Sequence, residues 1–148
     1  MTGVIRWRAG TVLSLRRSWQ GAVEIDVRVG TDTVRALAYP ALVGSPEVGD
    51  RVLLNVNALA LGLGTGGYAL VVALPDRLPP DPPPAAGHAV KARYTPLQPV
   101  VLAADEEASP LRAALAAATD LAGMPVVTAD LHSALPAVLA GVHATRPD

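Results

Sequence analysis

Val23-Glu24-Ile25-Asp26-Val27-Arg28-Val29 alternates β-branched apolar residues with charged ones without a break. Successive side chains of a strand point to opposite faces, so the four apolar positions share one face and the three charged ones the other. Such a strand has one buried and one wet face, as in an antiparallel sheet packed on one side. The same period extends outward. Upstream, Ile5, Trp7 and Ala9 alternate with Arg6 and Arg8, and Leu13 and Leu15 continue the apolar face, which places Trp7 in the core. Downstream, Gly30-Thr31-Asp32 is a turn into Thr33–Tyr39, and Pro46 to Asp50 is a second turn into Val52–Ala58. Tyr68–Leu74 is apolar on both faces and reads as a central strand. Five or six short strands with Gly-rich turns predict a small antiparallel β-barrel over residues 1–74. The pattern does not choose between an OB-like and an SH3-like barrel.

Composition fits this reading. Half of the 148 residues are hydrophobic, which is ample for a core, and aromatics are scarce with no Phe, so the core must consist of Val, Leu and Ala. The absence of cysteine excludes disulfide scaffolds, thiol nucleophiles and cysteine-ligated metal. A net charge of −1 gives no general attraction to nucleic acid or anionic membrane, and neither is an expected partner. Val52 to Pro75 carries no charge and is long enough to span a bilayer, but the glycines at 62, 64, 66 and 67 break a helix and suit a turn within a buried β-hairpin. No apolar run follows the N-terminal arginines, so a cytoplasmic protein without a secretory signal is expected.

Residues 75–87 form a Pro-rich linker, where Pro75, Pro79, Pro80, Pro82, Pro83 and Pro84 remove backbone donors and favour extended geometry. Residues 88–148 follow a different grammar. Pro99–Ala104 is an apolar run; Ser109-Pro110 then supplies a cap and a first-turn proline for a helix with Leu111, Ala114, Leu115 and Ala118 on one face, closed by Gly123. Pro125–Ala129 reads as a second buried strand, and Leu135, Val138, Leu139 and Val142 lie on one face of a second helix. The expectation is a β-α-β-α unit beginning an open parallel Rossmann-like sheet. Two parallel strands cannot bury both faces, so an incomplete α/β domain is expected, finished by a missing C-terminal segment or by another subunit in a homo-oligomer.

Several segments carry a family resemblance. They are Ile5-Arg6-Trp7-Arg8, Ala36–Gly44, Gly49–Asn55, Leu59–Tyr68, His88–Gln98 and Met124–Gly141. Together they resemble a bacterial family, a domain of unknown function found largely in actinobacteria, of which this chain looks like the N-terminal part. The resemblance implies no activity, cofactor or catalytic residue.

Ligands of open α/β sheets bind outside the carboxyl ends of the strands. Here those ends carry Asp105, Glu106 and Glu107 after one strand and Asp130, His132 and Ser133 after the next. Carboxylates beside an imidazole can hold a divalent metal or transfer protons, which makes Asp130 and His132 candidate catalytic residues and Asp105, Asp130 and His132 candidate metal ligands. Asp105, Glu106, Ser109 and Ser133 are candidate ligand-binding residues, although helix capping explains acids and serines there equally well. His88–Tyr94 reads as a strand with Lys91 and Arg93 on one face, suited to an anion or to edge protection. The Gly62–Gly67 run lacks the lysine and helix of a phosphate loop and reads as a hairpin. Residues 1–40 hold six arginines against three acids, and Arg6, Arg8, Arg16 and Arg17 with Trp19 suit single-stranded nucleic acid or, as a blander reading, a solvated strand face. The first function expected is a small-molecule or metal-binding α/β protein with its site on this rim. The alternatives are a β-barrel binding module for nucleic acid or a protein partner, and a structural assembly domain. The residues assign neither a reaction nor a cofactor.

Overall fold

The computed structural model describes residues 4–63 and 66–146. Contact between segments divides the chain into two compact units, Met1–Ala85 with Val90–Pro99, and Ala86–Ala89 with Val100–Asp148. The Pro-rich segment up to Ala85 belongs to the first unit.

That unit is a closed five-stranded barrel. Its strands are β1 (Trp7–Trp19), β2 (Ala22–Val29), β3 (Asp32–Ala38), β4 (Arg51–Asn55) and β5 (Ala69–Ala73). Short helices α1 (Pro40–Val43) and α2 (Asn57–Ala60) follow β3 and β4. The order around the barrel is β1-β2-β3-β5-β4, and β4 returns to β1. β1 is long enough to serve two neighbours, pairing β4 through Trp7–Thr11 and β2 through Thr11–Trp19. This is the five-stranded Greek-key connectivity of an OB-fold. The barrel is not wholly antiparallel, because β3 and β5 run parallel (Ala36↔Ala69, Leu37↔Leu70). That pairing follows from β4 lying between them in sequence but beyond β5 in space.

Closure depends on Gly10. A Cβ there would stand 2.5 Å from Val27 Cγ1 and 2.7 Å from the Arg28 carbonyl oxygen, so only glycine lets β1 curl against β2 as it passes from β4. Val12, Ile25, Val27, Val52, Leu54 and Leu74 fill the interior, with Ala36, Ala38 and Ala69 where β3 and β5 approach one another. The core is aliphatic, as the composition requires. Trp7 is not part of it: the side chain is 43% exposed, and Trp19 is 49% exposed. Trp7 pairs with Asn55 at the end of the β1–β4 ladder, on the outer side of the strand, whereas its neighbour Arg8 shares the side of Leu54. Glu24 departs from the alternation in the other direction, being only 4% exposed on the outer side of β2. β4 and β5 are antiparallel, so the uncharged stretch from Val52 to Pro75 contributes two barrel strands, with α2 and the exposed Leu61 and Leu63 between them. Gly64 and Thr65 of the glycine run lie outside the described residues. Among the described residues no helix is long and apolar enough to cross a membrane.

Residues 88–148 depart from the expected α/β sheet. Ala89–Val90 (β6) and Val100–Val101 (β7) form a two-stranded sheet of their own. Pro125–Ala129 is irregular, and the β3–β5 pair is the one parallel pair among the described residues. A parallel strand pair is stable only with both faces covered, and nothing in this unit covers Val126 or Val127, which stay exposed. The two helices do form, as α3 (Arg112–Ala117) and α4 (Leu135–Thr145), the latter entered through a 3₁₀ turn at His132–Ala134. Ser109 does not cap the first of them, which begins at Arg112 after Leu111; its hydroxyl accepts from the Leu111 N–H at 3.2 Å in the turn before the helix.

Candidate functional site

On the first unit an apolar cleft of about 360 Å³ lies beside α1. Tyr39 closes β3, and Pro40 opens α1 in the first-turn position where its missing N–H costs nothing. Gly44, at φ +86°, ends the helix by donating its N–H to the Pro40 carbonyl. This tight helical corner presents Tyr39 and Leu42 to the cleft, β5 contributes Val71 and Val72, and the remaining wall is Pro79, Pro80, Pro82 and Pro96–Pro99. Tyr39 and Gln98 are the polar side chains of the lining. An apolar recess with few polar groups and a proline wall is suited to an apolar ligand that makes one or two hydrogen bonds. Of these prolines, Pro79, Pro80 and Pro82 fall in the segment whose composition predicts a linker, and they line the cleft instead. The signal that sequence reasoning passed over was Tyr39-Pro40 directly after a strand.

The outer face of β1–β3 carries an ion-pair network. Arg16 lies 3.4 Å from Glu24 and 3.1 Å from Asp26, and Arg35 reaches Glu24 at 3.9 Å while its guanidinium stands 5.0 Å from the centre of the Tyr68 ring. The Ser14 hydroxyl donates to Asp26 at 2.8 Å, and this bond, opposed by burial and aided by Arg16, holds the Asp26 carboxyl below its ordinary range. Arg16, one of the four arginines of the expected nucleic-acid face, is thus paired with carboxylates on the same sheet, which reduces the charge available for such binding.

Of the rim residues, Glu106 has the richest surroundings. Its carboxylate accepts from the backbone N–H of His88 at 2.8 Å and of Ala103 at 3.3 Å, and lies 3.3 Å from His88 Nδ1. Burial alone would raise its pKa, but these bonds together hold it below the ordinary carboxylate value. Glu106, Glu107 and His88 line a recess of about 350 Å³ with Ala86, Gly87 and Ala108. Asp105 offers its backbone carbonyl to Arg112. Ser109 is buried as a turn residue, and His132 and Ser133 lie in the 3₁₀ turn, exposed like Asp130. Among the described residues no three His, Asp or Glu side chains come together to hold a metal, so Asp105, Asp130 and His132 are not gathered. The strand expected over His88–Tyr94 ends at Val90, because Ala92 and Tyr94 take left-handed φ values of 50° and 61° in a turn that Thr95 closes onto the Ala92 carbonyl. Lys91 and Arg93 therefore lie in a turn, without an alternating face.

A family model for proteins of unknown function matches residues 35–148, more than half of the chain. The chain belongs to that family, DUF3866. The match begins within β3 at Arg35 and takes in β4, β5, the whole lining of the cleft and the second unit, but not β1 and β2. No curated protein matches this DUF3866 chain, and no solved structure does.

Proposed function

We propose that this DUF3866 chain is a binding protein whose barrel takes an apolar small molecule, bearing one hydrogen-bonding group, in the cleft beside α1. The cleft itself carries the proposal: its volume of about 360 Å³ is that of a small-ligand pocket, and its walls are apolar apart from Tyr39 and Gln98. Each 100 Å² of ligand surface removed from water there contributes about 2.5 kcal/mol. The proline wall loses little freedom when a ligand enters, so less of that gain is spent on ordering. The earlier rim reading is weaker because the structure leaves Asp130 and His132 apart from any carboxylate cluster.

The probe is 1-anilinonaphthalene-8-sulfonate, followed by methyl NMR of Leu42, Val43, Val71 and Val72. Those methyls should shift on titration, and Leu42→Trp, which fills the cleft, should weaken binding at least about tenfold. Methyl signals that stay in place, or equal dye affinity in Leu42→Trp, would sink the proposal.

A further inference from the structure

Six of the eleven residues from Pro75 to Ala85 are proline, so this stretch has few backbone donors with which to anchor itself. Among the described residues, Leu78 to Ala85 make no hydrogen bond, yet Pro79, Pro80 and Pro82 form a wall of the cleft. The polar anchoring falls on the two side chains that precede them. Asp76 accepts from Arg51 of β4 in a two-pronged pair, Nε at 2.8 Å and Nη2 at 2.6 Å. Arg77 turns to the loop before β4. Its guanidinium donates to both Asp50 oxygens, at 3.3 and 2.5 Å, and to the Ser45 carbonyl at 2.8 Å, with Glu47 3.4 Å away. Its own N–H closes a turn onto the carbonyl of the buried Leu74. Two-pronged pairs fix direction as well as distance, and the Asp50 side chain, 16% exposed, is sheltered from the water that weakens surface pairs. Just beyond the clamp, Pro79 lies against the corner that ends α1, where a Cβ on Gly44 would stand 3.5 Å from it. Neither Asp76 nor Arg77, nor either of their main partners, lines the cleft itself.

We infer that Asp76 and Arg77 are positioning residues of the cleft, whose ion pairs with Arg51 and Asp50 hold the proline wall in place before a ligand arrives. This rests on the cleft being the binding site. Affinity for an apolar ligand is then governed by charged groups that the ligand never touches. A wall in place for only part of the time binds with an affinity reduced by that fraction. The fixed φ of proline carries the hold from Arg77 to Pro82 with few free rotations between them.

Titration of the whole chain with 1-anilinonaphthalene-8-sulfonate at neutral pH, read at the Leu42 and Val72 methyls, tests this. Arg77→Gln and Asp76→Asn should each weaken binding at least about fivefold while the circular dichroism stays that of the wild type. Exchanging one pair, Arg51→Asp with Asp76→Arg, should bring the affinity back to within about twofold of wild type, which damage to the fold would not allow. Without dye, the heteronuclear NOE of Leu78 and Asp81 should fall in both single variants. Equal dye affinity in the wild type and both variants, or NOE values that neither substitution changes, would overturn this inference alone and leave the cleft reading standing. A dye that moves no cleft methyl of the wild type would overturn both.

Discussion

Gly10 is the residue on which barrel closure turns. An added methyl would meet Val27 and the Arg28 carbonyl inside van der Waals distance, and the second of these is backbone that cannot rotate away. Gly10→Ala should therefore destabilise the barrel by about 1–3 kcal/mol, read as a lower urea midpoint. Leu54→Ala, which opens a void in the fully buried interior, should cost about 2–5 kcal/mol. Charge acts at the same scale through Asp50. The Arg77 side chain bonds its carboxylate, burial opposes this, the Glu47 N–H adds to it, and the result lies below the ordinary value of 3.8. A depressed folded pKa stabilises fully above the unfolded value and loses that contribution as pH falls through the folded one. The urea midpoint should thus fall below about pH 4, and Arg77→Gln should show a shallower acid limb. Asp26 and Asp76, lowered by Ser14 and Arg51 respectively, titrate in the same sense and account for the part that persists in that variant.

Elements differ in how far local pattern decided them. The alternation of Val23 to Val29 gives β2 directly, because one buried face enforces one register. Helix α4 formed from its spacing and its early proline, and α3 formed shorter than its spacing suggested, starting at Arg112 after the Ser109 turn. Pro125–Ala129 has the composition of a buried strand and no partner to bury it, so it stays irregular. Hydrogen exchange should reflect this difference. Amides of β2, β3 and β5, closed into the barrel ladder, should exchange through global opening, whereas residues 112–117 and 125–129 should exchange through local fluctuations, much faster at the same pH. Comparable protection of the two sets in mass spectrometric exchange would contradict the burial pattern described here.

At the scale of the molecule, a self-sufficient aliphatic core sits in one unit and an apolar, sparsely buried segment in the other. A chain ending after Pro99 should keep the β-sheet circular dichroism of the whole and lose no more than about 1 kcal/mol of barrel stability, because no residue of the core cluster lies beyond Leu74. The candidate cleft belongs wholly to that first unit, so the shortened chain should bind the dye at the cleft as well.

The sequence by itself determined the alternation of β2, the aliphatic core and the two helices of the second half, since these follow from periodicity and composition within a few residues of each other. In β1 the expected apolar face of Trp7, Leu13 and Leu15 is exposed and Val12 is buried instead. Tertiary structure alone decided the rest. Whether Trp7 faced in or out depended on where β1 leaves the barrel, and Glu24 could be buried on an outer face only once Arg16 and Arg35 converged on it from neighbouring strands. The parallel β3–β5 pair and the cleft of Tyr39, Val72, Pro79 and Gln98 join positions tens of residues apart. Side-chain period fixes which way a residue points along its own strand, but which strand or loop stands opposite is set by chain closure, and no local pattern records it.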